Sequence, residues 1–136
     1  MRVMSVATVL LTILAAAGCA TTKEPVVLTG EYLVERDGIW YEIDSEEPFT
    51  GMMAEYWPGG EKKVEAELVG GQVHGRLTEW YEDGQEASRA EYRDGQLYGE
   101  AVAWYEDGQK LAEVEFIDGE EVSRREWDEE GNPIGE

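Results

Sequence analysis

Glycine returns in this chain on a fixed period, and that period restricts the fold more than any other feature. Gly51, Gly75 and Gly99 stand 24 residues apart, as do Gly60, Gly84 and Gly108, and Gly71, Gly95 and Gly119. The aromatic pairs Tyr56-Trp57, Trp80-Tyr81 and Trp104-Tyr105 keep the same interval. Three units result, over residues 51–74, 75–98 and 99–122. A partial unit follows, with Ser123 in place of the glycine and its aromatic, Trp127, one residue early. A degenerate unit precedes them, in Asp37-Gly38-Ile39-Trp40-Tyr41 and Pro48-Phe49-Thr50-Gly51. So short a unit cannot bury a core alone. Neighbouring units must stack, and divergent end units serve as caps.

Two turn signals punctuate each unit. They are Gly59-Gly60, Gly70-Gly71, Asp83-Gly84, Asp94-Gly95, Asp107-Gly108 and Asp118-Gly119. Such pairs accept positive φ at both central positions of a tight hairpin turn. Between turns the pattern alternates. Val64, Ala66 and Leu68 are apolar around Glu65 and Glu67, and Ala112, Val114 and Phe116 repeat this around Glu113 and Glu115. A period of 2 marks a half-buried antiparallel strand. The prediction is an all-β fold, an elongated antiparallel β-meander built from 24-residue hairpin repeats. Strands are expected near 51–57, 62–69, 76–82, 85–93, 100–106, 109–117 and 123–128.

A two-residue loop at Asp83-Gly84 sets Trp80 opposite Ala87, Leu77 opposite Ala90 and Gly75 opposite Tyr92. The same count sets Gly51 opposite Leu68 and Gly99 opposite Phe116. Each repeat glycine then faces a large side chain that can lie over it. One face collects Met53, Val64, Ala66, Leu68, Leu77, Ala90, Tyr92, Ala101, Val114 and Phe116 and is the apolar one. Tyr56, Trp80 and Trp104 fall on the other, among Glu65, Glu67, Arg76, Arg89, Glu91, Glu100, Glu113 and Glu115. These three rings recur on every second strand, about 10 Å apart. They form the candidate binding stripe, for a sugar chain or a peptide. The plainer reading of the same rings, favoured because aromatics are common strand formers, is a ladder that pads the sheet. The apolar face must curl, be covered by residues 31–50, or bind something, because soluble monomers rarely expose so large a patch.

The matching elements are Pro48-Phe49-Thr50-Gly51, Glu55-Tyr56-Trp57-Pro58-Gly59-Gly60, Gly71-Gln72-Val73-His74-Gly75 and Glu79-Trp80-Tyr81-Glu82-Asp83-Gly84. Together they resemble the bacterial variant of the MORN repeat, found in antitoxin-like proteins of the YwqK type, over residues 37–134. The resemblance implies a repeat domain, placed at 31–136, that works as a spacer or an interaction surface.

The first residues read as an address. Arg2 precedes an apolar stretch, Val3 to Ala17, that is short for a membrane span. It ends in Ala16-Ala17-Gly18-Cys19, which resembles a bacterial lipobox. That resemblance implies a lipoprotein signal peptide over 1–18, cleavage before Cys19 and acylation of that residue. Residues 19–30 are then the lipidated cysteine and a tether. Ala20 follows, with no Asp to suggest inner-membrane retention, so the expected place is the outer membrane facing the periplasm. The single cysteine excludes an internal disulfide and a cysteine-based zinc site.

Charge narrows the partners. The chain has 11 Lys+Arg and 31 Asp+Glu, a net charge of -20. Loss of Arg2 with the signal leaves 10 basic residues against 31 acidic, or -21. Nucleic acid is excluded, since phosphate binding needs clustered cations. Docking on anionic lipid through a basic face is excluded likewise. The expected partner is an envelope protein with a basic or mixed surface.

Nothing points to chemistry. His74 is the only histidine, and Tyr98 holds its position in the next unit. Ser5, Ser45, Ser88 and Ser123 lie in no nucleophile-elbow pattern. Glu65/Glu67 and Glu113/Glu115 read as a solvated strand face. The runs at Asp118 to Glu121 and Asp128 to Glu130 are too generic for a calcium loop. The reading is a non-enzymatic, membrane-anchored lipoprotein without metal or cofactor, a protein-interaction or scaffold module. The alternatives are an antitoxin or immunity-like protein, and a module that binds cell-wall polysaccharide.

Overall fold

The computed structural model describes residues 27–135. Cys19, the expected signal peptide and the tether up to residue 26 lie outside the described residues. The strands are β1 (Val27–Thr29), β2 (Leu33–Arg36), β3 (Ile39–Glu42), β4 (Gly51–Tyr56), β5 (Lys62–Val69) and β6 (Gln72–Trp80). They continue with β7 (Glu86–Arg93), β8 (Gln96–Trp104), β9 (Lys110–Ile117), β10 (Glu120–Trp127) and β11 (Pro133–Ile134). One 3-10 turn, Gly30–Tyr32, follows β1, and no α-helix occurs among the described residues. Nine strands form one sheet in the order β1-β4-β5-β6-β7-β8-β9-β10-β11, and β2 and β3 pair as a separate hairpin. From β4 onward every pairing is antiparallel between chain neighbours. The meander expected from the repeat is therefore the fold.

The pairings of β1 with β4, of β2 with β3 and of β10 with β11 lie outside the expected strands. Val27–Thr29, expected as part of the tether, pairs in parallel with Met52–Ala54. Leu28 packs against the buried cluster beside it, which gives this short apolar run a reason to join the sheet.

The two ends of the strands carry different turns. At Asp94-Gly95 both residues have positive φ, 50° and 77°, and the same holds at Gly70-Gly71 and Asp118-Gly119. These two-residue turns match the twist of the strands they join. At the other end the Gly84 amide donates to Tyr81 O (3.0 Å) and the Tyr81 amide to Gln85 O (2.9 Å). Only the glycine of that pair has positive φ. This is a three-residue loop closed by a left-handed glycine, and it corrects the two-residue count. Trp80 lies opposite Glu86, not Ala87, because the extra residue is absorbed as a bulge. Beyond the bulge the expected register holds, at Leu77–Ala90, Gly75–Tyr92, Gly51–Leu68 and Gly99–Phe116.

β6, β8 and β10 start at residues 72, 96 and 120, earlier than the expected 76, 100 and 123. Gly75 and Gly99 do not open strands. They sit inside them, with φ of 77° and 71°, at bulges between Ala66 and Leu68 and between Ala90 and Tyr92. A Cβ on Gly75 would meet only Glu67 Oε2, at 3.6 Å, and on Gly99 nothing within 4 Å. Tyr92 and Phe116 stand opposite these glycines in register, as expected. The left-handed backbone of the bulge is what requires glycine.

Packing is uneven along the array. Leu33, Phe49, Met53, Ala66 and Leu68 form the buried cluster, with Trp40, Val64, Val73 and Leu77 against it. The β2–β3 hairpin is fastened there by Trp40 N to Gly71 O (2.8 Å), and Gly71 N donates to Phe49 O (2.7 Å). Of the three ways to close the apolar face, cover by residues 31–50 is realised, but only over the first unit and Leu77 at the start of the second. No second layer packs over β7–β10 among the described residues. Instead, side chains of adjacent strands pack side by side in rows. The row Met53, Ala66, Leu77, Ala90, Ala101, Val114 runs along the apolar face, and Ala54, Glu65, Thr78, Arg89, Val102, Glu113, Arg125 along the charged one. Thr78 and Val102 are buried between long charged side chains on both neighbouring strands, whose aliphatic stems can shelter them, and Ala54 is buried between Thr29 and Glu65.

Candidate functional site: the aromatic stripe

Tyr56, Trp80 and Trp104 end β4, β6 and β8, each one residue before a three-residue loop. The side chains fall on the charged face, as expected. Trp127 joins them as a fourth ring. The sequence places it one residue early, and β10 compensates. Its bulge holds one extra residue at Val122, where those of β6 and β8 hold two. The period alone missed this ring because bulge lengths are not written in the period.

Trp80 and Trp104 are half-buried, while Tyr56 is 49% exposed. The difference has a chemical cause. Lys62 Nζ lies 5.3 Å from the centre of the Trp80 ring, the Arg89 guanidinium 5.2 Å from Trp104, and Lys110 Nζ 5.6 Å from Trp127. Each cation comes from the preceding unit and is held by a carboxylate. The pairs are Lys62–Glu65 at 2.6 Å, Arg89–Glu86 at 3.2 Å and Lys110–Glu113 at 2.7 Å. A cation over an aromatic face is attracted by the ring quadrupole, more so when partly desolvated. Among the described residues, no lysine or arginine lies over Tyr56. The Lys-x-x-Glu spacing of Lys62 and Lys110 was the available signal for these caps. Which ring each would reach was not legible.

The second aromatic of each pair ties units together. Trp57 Nε1 donates to Trp80 O (3.1 Å), Tyr81 Oη to Trp104 O (2.7 Å) and Tyr105 Oη to Trp127 O (2.9 Å). The turns add a second ladder. Gln85 N and Nε2 donate to the two oxygens of Asp83, and Nε2 also reaches Glu106 O (2.9 Å) in the next turn. Gln109 repeats this between Asp107 and Glu129 O, and Asn132 binds Asp128. The backbone amides of Gln85, Gln109 and Asn132, then their side chains, hold these three aspartates below the usual carboxylate range. Lys110 does the same to Glu113.

No family model, curated protein or solved structure matches the chain. The site is accordingly read from its own residues. Other sequence candidates stay apart. His74 lies at the β6 bulge, with Nδ1 3.4 Å from Asp94 Oδ1, and Ser88 Oγ donates to Glu79 (2.6 Å) on the neighbouring strand. A shallow groove of about 230 Å³ is lined by Glu100, Glu113, Val114, Glu115, Ser123 and Arg125. Among the described residues, no three His, Cys, Asp or Glu side chains are arranged to hold a metal ion.

Proposed function

We propose that this protein is a non-enzymatic interaction or scaffold module of the cell envelope, built from MORN-variant repeats and anchored by acylation at Cys19. The observation that carries this reading is the uneven cover of the sheet. The charged face shelters itself, whereas beyond Leu77 the apolar face of the second and third units has no second layer among the described residues. Ala90, Ala101, Ala103 and Ala112 there are half-buried, beside Tyr92, Val114 and Phe116. A flat face of small residues flanked by rings suits contact with another protein. The net charge of -20 favours a partner with a basic or mixed surface. Such a field speeds encounter and weakens with salt. Two or more acyl chains give a stable anchor, consistent with work at the outer membrane facing the periplasm.

Cross-linking in solubilised envelope, with the contact sites mapped by mass spectrometry, tests the module. Contacts on β6–β9 to a protein partner support it, and contacts confined to the tether overturn it. Mass spectrometry of the native protein tests the anchor. Residues 1–18 should be absent and Cys19 acylated, and an unmodified Cys19 thiol in membrane-derived protein rejects it. A second reading, an antitoxin or immunity-like protein, is favoured by the same acidity, which suits capture of a basic toxin. An adjacent toxin gene, and protection from its product on co-expression, would select it. Wall-polysaccharide binding is less well supported, because Trp80 and Trp104 are already covered by Arg or Lys side chains.

A further inference from the structure

We infer that Tyr56 is the recognition point of the stripe and takes a lysine or arginine side chain of the protein partner. The argument begins with the repeat. Three rings at equivalent stations, Trp80, Trp104 and Trp127, each carry a cation supplied by the preceding unit. The station is thus one where this fold places a cation over an aromatic face. Tyr56 occupies that station in the first unit. No full unit precedes it, and β1 takes the place of the preceding strand. β1 and the turn after it bring no cation. They bring Glu31.

The local geometry suits an incoming cation. An open cavity of about 350 Å³ is lined by Thr29, Gly30, Glu31, Glu55 and Tyr56. Glu55 turns to the opposite face of β4, where it pairs with Lys63 at 3.7 Å, so Glu31 is the acid left beside Tyr56. An exposed phenol ring beside the Glu31 carboxylate repeats the combination, ring plus acid, that holds Lys62, Arg89 and Lys110 elsewhere in the molecule. A guanidinium or ammonium entering it gains the ring face and an ion pair together.

This inference rests on the interaction-module reading and adds to the apolar face of β6–β9 a second contact, at the first-unit end of the charged face, naming the chemistry the partner presents there. The test is an NMR titration of the purified protein with N-acetyl-argininamide, with the neutral N-acetyl-citrullinamide as control. Saturable shifts centred on Tyr56 and Glu31 are expected, with little movement of the Trp80 and Trp104 indoles and none with the citrulline compound. Tyr56→Phe should bind as the parent does, because the ring face needs no hydroxyl. Tyr56→Ala should bind at least fivefold more weakly, and Glu31→Gln more weakly too. Equal affinity in Tyr56→Ala, or shifts spread evenly over the acidic surface, would overturn the site. The wider reading is judged separately, by the envelope cross-links on β6–β9.

Discussion

The first and third units share a sequence pattern but not a way of staying folded. Leu68 and Phe116 hold the same position in their units, each in register with a repeat glycine. Leu68 is 0% exposed, while Phe116 is half-buried. The difference comes from outside the repeat, since the β2–β3 hairpin and Phe49 lie over the first unit and not the third. The turns show the converse. The first unit has Gly59 where the others have Asp83 and Asp107, so it lacks the aspartate–glutamine clamp. Where a second layer exists, packing holds the unit. Where none exists, hydrogen bonds between neighbouring turns do.

The sharpest way to break this comparison is to truncate the equivalent side chains. Leu68→Ala should lose about 3 kcal/mol or more, as buried leucines do. Phe116→Ala should lose about half as much, because much of its ring stays in water when folded. Urea unfolding of both variants measures it, and equal losses would dissolve the distinction.

The paired turns offer a smaller contrast. A Cβ on Gly71 would stand 2.4 Å from Ile39 Cγ2 and 2.7 Å from Trp40 O, at a φ of 76°. On Gly95, at a φ of 77°, the nearest atom is Gln72 Nε2 at 3.4 Å. Gly71→Ala therefore adds a clash with the covering hairpin to the left-handed penalty, for about 2–3 kcal/mol. Gly95→Ala bears the backbone penalty alone, about 1 kcal/mol. Matching melting temperatures for the two variants would contradict the fastening of the hairpin at Gly71.

Removing one rung of the ladder should matter less. Tyr81→Phe deletes the hydrogen bond to Trp104 O and should destabilise by about 1 kcal/mol. No loss would mean that the ladder accompanies the stacking without supporting it.

The smallest effect is with pH. Asp83, Asp107 and Asp128 have folded pKa values below their ordinary ones. Their contribution is thus complete above the unfolded carboxylate pKa, about 3.9, and is lost as pH falls through the lowered folded values. Asp107→Asn should flatten the acid limb of a stability-against-pH curve without moving the limb above pH 5. An unchanged acid limb would remove the clamp from the account of the third unit.

The sequence by itself determined the seven repeat strands apart from the early starts of β6, β8 and β10, the turn positions, the meander, the two faces and the register at the three repeat glycines. All of these follow from alternation and turn chemistry, which act over a few residues and repeat without outside help. Tertiary structure decided the rest. Bulge lengths brought Trp127 onto the stripe and shifted Trp80 from Ala87 to Glu86. The hairpin buried one unit and left its relatives in a single layer. Cations from one unit came to lie over the rings of the next, and Tyr56 at the end of the array received none from the described residues. Each of these depends on which strand lies beside which, a relation between distant residues that no local pattern encodes.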